Sequence, residues 1–106
     1  MLPTIRKVLI FIDSNLEDEL TVERLAQSVK LSRSRLHYLC KAELAMTITR
    51  YIRLRRLESA RDLLNSTALS VKEVRVRVGM PDRSHFAREF KKNYGLTPSQ
   101  FRKQAF

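Results

Sequence analysis

The two halves of this chain repeat one pattern of residues, and this repeat is the strongest constraint on its fold. Residues 69–71 (Leu-Ser-Val) match residues 20–22 (Leu-Thr-Val) at an offset of 49 positions, and one extra residue later makes the offset 50. Each copy has the length of two short helices and a turn. The matched apolar pairs are Leu25 and Val74, Val29 and Val78, Leu31 and Met80, Leu36 and Phe86, and Cys40 and Phe90.

Apolar residues recur at helical spacing along almost the whole chain. Ile5, Val8, Leu9 and Ile12 follow the i, i+3, i+4, i+7 rule and predict a helix from about Thr4 to Asn15. Capping residues and glycines predict the remaining helix ends. Those helices begin after Thr21, Ser32, Thr47, Ser70, Asp82 and Thr97, and three of them end near Asn65, Gly79 and Gly95.

These patterns predict an all-α fold of seven helices. Two helix-turn-helix subdomains, each a homeodomain-like three-helix unit, are expected at residues 4–46 and 66–106, with a linker helix at 47–65. Together they form one domain over residues 1–106. Three prolines and two glycines leave few turns for a sheet, which favours the same fold class.

Charge and composition narrow the functional classes. The formal net charge is +10, and residues 69–106 hold 9 basic against 3 acidic side chains, which favours a polyanionic partner such as nucleic acid or a membrane surface. The longest apolar run, residues 8–12, is far shorter than the roughly 18 residues of a membrane span. One cysteine excludes an internal disulfide and a thiolate metal cluster, and two histidines are too few for most zinc sites, so we expect no metal. Together with the short apolar run, this cysteine usage leads us to expect a cytoplasmic protein.

The second helix of each copy presents polar and cationic side chains opposite its apolar face. Such side chains on the first turns are typical of a helix that enters the major groove of DNA. They are Arg33, Ser34, Arg35, His37, Tyr38 and Lys41 in the first copy, and Arg83, Ser84, His85, Arg88, Lys91 and Lys92 in the second.

The length of the linker helix fits this interpretation. Its 19 residues, Thr47 to Asn65, span roughly 28 Å at 1.5 Å per residue. With the width of the two subdomains added, we expect the second helices of the two copies to lie about one DNA turn, on the order of 34 Å, apart. These two helices are the candidate recognition helices.

The sequence resembles the C-terminal DNA-binding domain of the AraC/XylS family of bacterial transcription regulators, over about Ile5 to Gln104. The block from Val78 to Phe86 and the block from Gly95 to Arg102 resemble the signature of that family most closely. Further stretches of resemblance are residues 20–26, 31–36, 51–57 and 90–92.

The resemblance implies sequence-specific binding of promoter or operator DNA by two recognition helices in adjacent major grooves. It implies RNA polymerase as a further partner, a nucleoid location, and in many members an N-terminal sensor or dimerisation domain; no cofactor is expected. Base contacts then fall on Ser34, His37, Tyr38, Arg83, Ser84, His85 and Arg88, and phosphate contacts on Ser32, Arg33, Lys41, Lys72 and Lys91.

The chain departs from the pattern of that family at three places that affect backbone or packing. Lys30 stands in the first inter-helix turn, where a small residue is usual, and Ala45 replaces the glycine expected after the first recognition helix. Arg75 occupies a position that is usually Ala or Gly because two helices cross there. We expect its side chain to extend out of the crossing, or the helices to move apart.

Several residues keep a second interpretation. Tyr38 is predicted either to touch a base or to pack on a neighbouring helix, and His37 and His85 either to contact DNA or to be ordinary surface histidines. Cys40 lies at a core spacing, where packing competes with redox sensing. An RNA-binding or protein-interaction module is the alternative function. No nucleophile with a base, carboxylate pair or phosphate loop has a spacing that supports catalysis, so we expect no enzyme.

Overall fold

The computed structural model describes residues 1–105, and in that range the chain forms helices and no strands. The predicted all-α fold is confirmed, and the helix count over those residues is the expected seven. Phe106, the last residue of the predicted second subdomain, lies outside the described residues. The helices are α1 Pro3–Ser14, α2 Val22–Ser28, α3 Arg33–Leu44, α4 Ile48–Ser66, α5 Val71–Arg77, α6 Arg83–Tyr94 and α7 Pro98–Ala105.

Side-chain caps start the helices where the sequence places them. The hydroxyls of Thr21 and Ser32 accept the backbone N–H of the third residue on, each at 3.1 Å, and begin α2 and α3. Ser70 and Glu73 form a reciprocal capping box on α5, with both bonds at 3.0 Å. Each cap satisfies N–H groups that the first helical turn leaves without a partner, so a local residue choice defines each helix start.

One predicted helix end differs by two residues. The helix after Ser70 ends at Arg77 rather than at Gly79, because Val78, the C-cap, has φ of −92° and ψ of 4°, outside the helical values, although its N–H still donates to the carbonyl of Val74. Gly79 follows with φ of +77° and turns the chain toward α6. A glycine therefore marks the turn correctly but lies beyond the last helical residue.

The chain divides into two compact units, Met1–Arg55 and Arg56–Phe106, called unit 1 and unit 2 here. Their boundary falls inside α4, whose first residues contribute to one core and whose later residues contribute to the other. The subdivision into 4–46, 47–65 and 66–106 describes roles in DNA binding and stays a prediction.

Each unit has its own apolar core, and three matched pairs of the repeat, Leu25 and Val74, Leu36 and Phe86, and Cys40 and Phe90, are buried in both. The core of unit 1 consists of Ile5, Val8, Ile12, Leu25, Ala26, Leu36, Leu39, Cys40, Ile48 and Ile52. The core of unit 2 consists of Leu57, Ala60, Leu64, Val74, Val78, Met80, Phe86 and Phe90. Burial of Cys40 confirms its interpretation as a packing residue.

The residue after α3 and the residue after α6 both adopt a left-handed backbone conformation. Ala45 has φ of +57° after α3, and its counterpart Gly95 has φ of +80° after α6. Unit 1 therefore carries strain at a position where unit 2 has a glycine, since a Cβ atom disfavours this conformation.

We expect Ala45→Gly to stabilise the protein by about 0.5–1 kcal/mol and Gly95→Ala to destabilise it by a similar amount. No heavy atom lies within 4 Å of a Cβ built on Gly95, so the second change adds strain without a clash. Urea unfolding followed by circular dichroism measures both. Ala42→Gly in the exposed interior of α3 is the control, because there the same substitution should destabilise. Destabilisation by Ala45→Gly would contradict the strain argument.

Candidate nucleic-acid interface

Helix α3 has one buried face and one exposed face. Leu36, Leu39 and Cys40 are buried in unit 1, which turns Ser34 and Lys41 outward and leaves His37 half-buried at the edge. The predicted base-contacting residues of unit 1 therefore share one accessible side of a helix. The hydroxyl of Ser32 accepts the N–H of Arg35 as the cap, and it keeps its own proton for donation to a phosphate.

Arg33 already has an acidic partner within unit 1. Its guanidinium lies 3.2 Å from the carboxylate of Glu23 on α2, and both side chains are more than half exposed. An exposed ion pair of this kind contributes little to stability, about 0–1 kcal/mol. Glu23 therefore offsets part of the positive charge that Arg33 was predicted to offer to phosphate.

Tyr38 does not pack on a neighbouring helix. Its side chain is 65% exposed, and the guanidinium of Arg35, from the same helix, lies 5.5 Å from the centre of its ring. A cation over an aromatic face restrains both side chains. Arg35 was not among the predicted contact residues, although the Arg-to-Tyr spacing of i, i+3 is a signal from which this contact can be inferred.

Helix α6 repeats this arrangement in unit 2. Phe86 and Phe90 are buried, while Arg83, Ser84 and Arg88 are exposed and His85 is half-buried. The Nε2 atom of His85 lies 3.9 Å from a carboxylate oxygen of Glu89, one turn further along α6. The predicted phosphate-contacting residues Lys72 and Lys91 are exposed as well.

The cap of α6 lowers the pKa of an acidic group beside the predicted contacts. The backbone N–H of His85 donates to a carboxylate oxygen of Asp82 at 2.9 Å, and this bond holds the pKa of Asp82 below its usual value. The nearby charges of His85 and Arg88 act in the same direction. The pKa of Glu73 is lowered by the corresponding bond from the N–H of Ser70.

These two caps predict acid-sensitive folding of unit 2. The pKa values of Glu73 and Asp82 are lower in the folded state than in the unfolded state. The stabilisation that their charged carboxylates give is therefore complete above the unfolded-state pKa values, near pH 4. It is lost as pH falls through the lower folded-state pKa values. Thermal unfolding from neutral to strongly acidic pH measures the loss. Asp82→Asn is the matched variant, since asparagine also caps a helix but does not titrate, and its pH dependence should be shallower. An unchanged dependence would show that Asp82 does not contribute.

Arg75 extends out of the helix crossing, as expected for a large side chain at that position. Its guanidinium donates to the carbonyl of Pro81, in the turn between α5 and α6. The Arg75 side chain also lines a groove between α5, α6 and α7, together with Lys72 and Arg83. The groove was not predicted, because it depends on how three helices of unit 2 pack.

The arginines on α4 have several partners. Arg55 donates to a carboxylate oxygen of Asp13 at 2.9 Å and so braces α4 against α1 within unit 1. Burial lowers the pKa of the half-buried Arg56. In the part of the chain that the structure describes, no helix is long and apolar enough to cross a membrane.

Comparisons with known proteins agree with this architecture. The helix-turn-helix domain family matches residues 25–104. The xylose operon regulatory protein of Escherichia coli (strain K12) is 34% identical over 100 residues, which cover 94% of this chain and 26% of that protein. This chain therefore spans about a quarter of the length of that regulator.

Two solved structures are similar over almost the whole chain. The C-terminal domain of AraT, a response regulator from Geobacillus stearothermophilus, is 31% identical with a TM-score of 0.90, covering 97% of this chain and 86% of that one. A transcriptional regulator from Chromobacterium violaceum, described as AraC-type DNA-binding domain-containing, is 27% identical with a TM-score of 0.89, covering 97% and 92%. The chain belongs to the helix-turn-helix domain family, as an AraC/XylS-type DNA-binding domain.

Proposed function

We propose that this chain binds specific sites on double-stranded DNA, with α3 and α6 as recognition helices in adjacent major grooves. The observation that carries the proposal is the repeated exposed polar and cationic face at the start of both helices, opposite buried core residues. Hydrogen-bond donors on such a helix can bind base edges in the major groove, and cationic side chains can bind both base edges and phosphates.

The roles of individual residues follow their exposure. Base edges would be contacted by Ser34, His37 and Tyr38 from α3 and by Ser84, His85 and Arg88 from α6. Arg83, at the first position of α6, can reach a base edge or a phosphate. Phosphates would be contacted by Ser32, Arg33, Lys41, Lys72 and Lys91.

The aromatic residues favour duplex DNA over single-stranded RNA. Single-stranded RNA is usually bound on exposed aromatic platforms. Here Phe86 and Phe90 are buried, and Tyr38 is the aromatic side chain among the large exposed apolar residues of the described chain. Among residues 1–105, a fully exposed aromatic platform is therefore limited to one ring.

In the cell, such binding would place a regulator beside a promoter, where it recruits or blocks RNA polymerase. Contact with RNA polymerase, association with the nucleoid in the cytoplasm, and action together with a sensor or dimerisation domain are parts of this proposal. The greater length of the matched regulators supports the last of them.

Selection of preferred sites from a random duplex library tests the proposal. We expect one enriched site whose two conserved segments lie about one helical turn apart, in keeping with contacts from two helices. Competition provides the second measurement: random duplex DNA should displace the chain from that site better than single-stranded RNA at equal phosphate concentration. Failure to enrich any site, or stronger competition by the RNA, would overturn specific duplex binding.

A further inference from the structure

The groove in unit 2 combines positive charge with hydroxyl donors. It has a volume of about 590 Å³, and Lys72, Arg75 and Arg83 line it together with Phe86 and the hydroxyl residues Thr97 and Ser99. Among the residues that the structure describes, no acidic one lines it. Glu73 and Asp82, which lie next to groove residues in the chain, direct their carboxylates to backbone N–H groups as caps. The groove therefore has no internal counter-charge.

Comparison of the two repeats shows how this excess charge arises. Arg83 of α6 corresponds to Arg33 of α3, and Lys72 of α5 corresponds to Glu23 of α2. In unit 1 the acid and the base pair at 3.2 Å. In unit 2 a second cation replaces the acid, so two like charges face one groove.

Two like charges on one concave surface repel each other, and an anion bound between them offsets that repulsion by attracting both. Arg75 contributes a third charge, although its guanidinium already donates to the carbonyl of Pro81 and so forms a fixed part of the wall. Within the described residues, the side chains of Lys72 and Arg83 have no hydrogen-bond or ion-pair partner. They are therefore the groups available to an incoming anion.

We propose that this groove binds a phosphate of the DNA backbone through Lys72 and Arg83, and that the corresponding site of unit 1 is weaker because Glu23 offsets the charge of Arg33. The proposal rests on the duplex binding proposed above and assigns Arg83 to phosphate contact rather than base contact. The hydroxyls of Thr97 and Ser99 supply further donors at the wall of the groove. Unit 2 then contributes more to the salt dependence of binding than unit 1.

The test is the salt dependence of binding by the intact chain. Dissociation constants are measured across a salt series on the selected site and on random duplex, for the wild type, Lys72→Gln, Arg83→Gln and the double variant. Each lost phosphate contact should reduce the slope of log K against log salt by about one, and the double variant should reduce it by about two. Each variant should lose affinity by the same factor on both DNAs.

Two further variants serve as controls. Lys103→Gln removes an exposed lysine of α7 that does not line the groove, and we expect its slope to equal that of the wild type. Glu23→Lys gives unit 1 the charge pattern of unit 2, and it should tighten binding to both DNAs and increase the slope. Circular dichroism melting of every variant verifies that the fold is retained.

The outcomes separate this proposal from the proposed function. An Arg83→Gln variant with an unchanged slope and a loss confined to the selected site would make Arg83 a base-contacting residue and overturn the groove assignment. An unchanged slope for Lys72→Gln would overturn it as well. In both cases the wild type still binds its site. A wild type that does not bind duplex DNA would instead overturn the proposed function, and the groove assignment with it.

Discussion

Replacing Phe90 by alanine is expected to cost about 3–5 kcal/mol of unfolding free energy. The Phe90 side chain is fully buried, and its ring centre lies 4.8 Å from that of Tyr94, 5.6 Å from that of Phe101 and 5.9 Å from that of Phe86. Alanine removes the ring on which the others pack and leaves a cavity that these rigid neighbours fill poorly. This one side chain therefore connects α6 with α7 in the core of unit 2.

Urea unfolding followed by circular dichroism measures this loss. Cys40→Ala is the matched control, since Cys40 is the counterpart of Phe90 in the repeat and is also fully buried. Its loss should be clearly smaller, because one sulfur atom is removed instead of a ring. A Phe90→Ala variant no less stable than Cys40→Ala would contradict the central role of the ring cluster.

Replacing Arg88 by alanine is expected to weaken binding to the preferred DNA site by about 1–3 kcal/mol, with little loss on random duplex. Arg88 is exposed on the outer side of α6, opposite the buried Phe86 and Phe90. A guanidinium can donate two parallel hydrogen bonds to O6 and N7 of guanine, which gives it sequence preference as well as charge. Arg88→Lys should not restore specificity, because an ammonium lacks the planar fork.

Equilibrium binding to the preferred site and to random duplex measures this effect. Lys41→Ala is the contrasting variant, since loss of a phosphate contact should weaken binding to both DNAs and reduce the salt slope by about one. Equal losses on both DNAs for Arg88→Ala would exclude Arg88 from base contact. That result would leave base readout by α6 to Ser84 and His85.

Much of the fold is predictable from the sequence because it depends on local interactions. Thr21, Ser32 and Ser70 cap their helices through bonds that reach only three residues along the chain. Apolar spacing then identifies the inner face of each helix, as with Phe86 and Phe90. Both signals are complete within one helix, so no knowledge of the tertiary packing is needed.

The candidate site was predicted less completely, because its details depend on contacts between helices. The sequence identifies Arg33 as a cation, but its pairing with Glu23 depends on how α2 packs against α3. The bond from Arg75 to the Pro81 carbonyl depends on the turn between α5 and α6. Long, flexible side chains have many rotamers, and only the packed structure selects the partner of each one.

Burial of Cys40 gives the molecule an internal reporter of motion. It is the one cysteine of the sequence, it has no exposed surface in unit 1, and burial raises the pKa of its thiol. A thiol in this state reacts with alkylating reagents only when the surrounding structure opens. The rate at which such a reagent labels the protein therefore measures transient opening around Cys40, without any engineered probe.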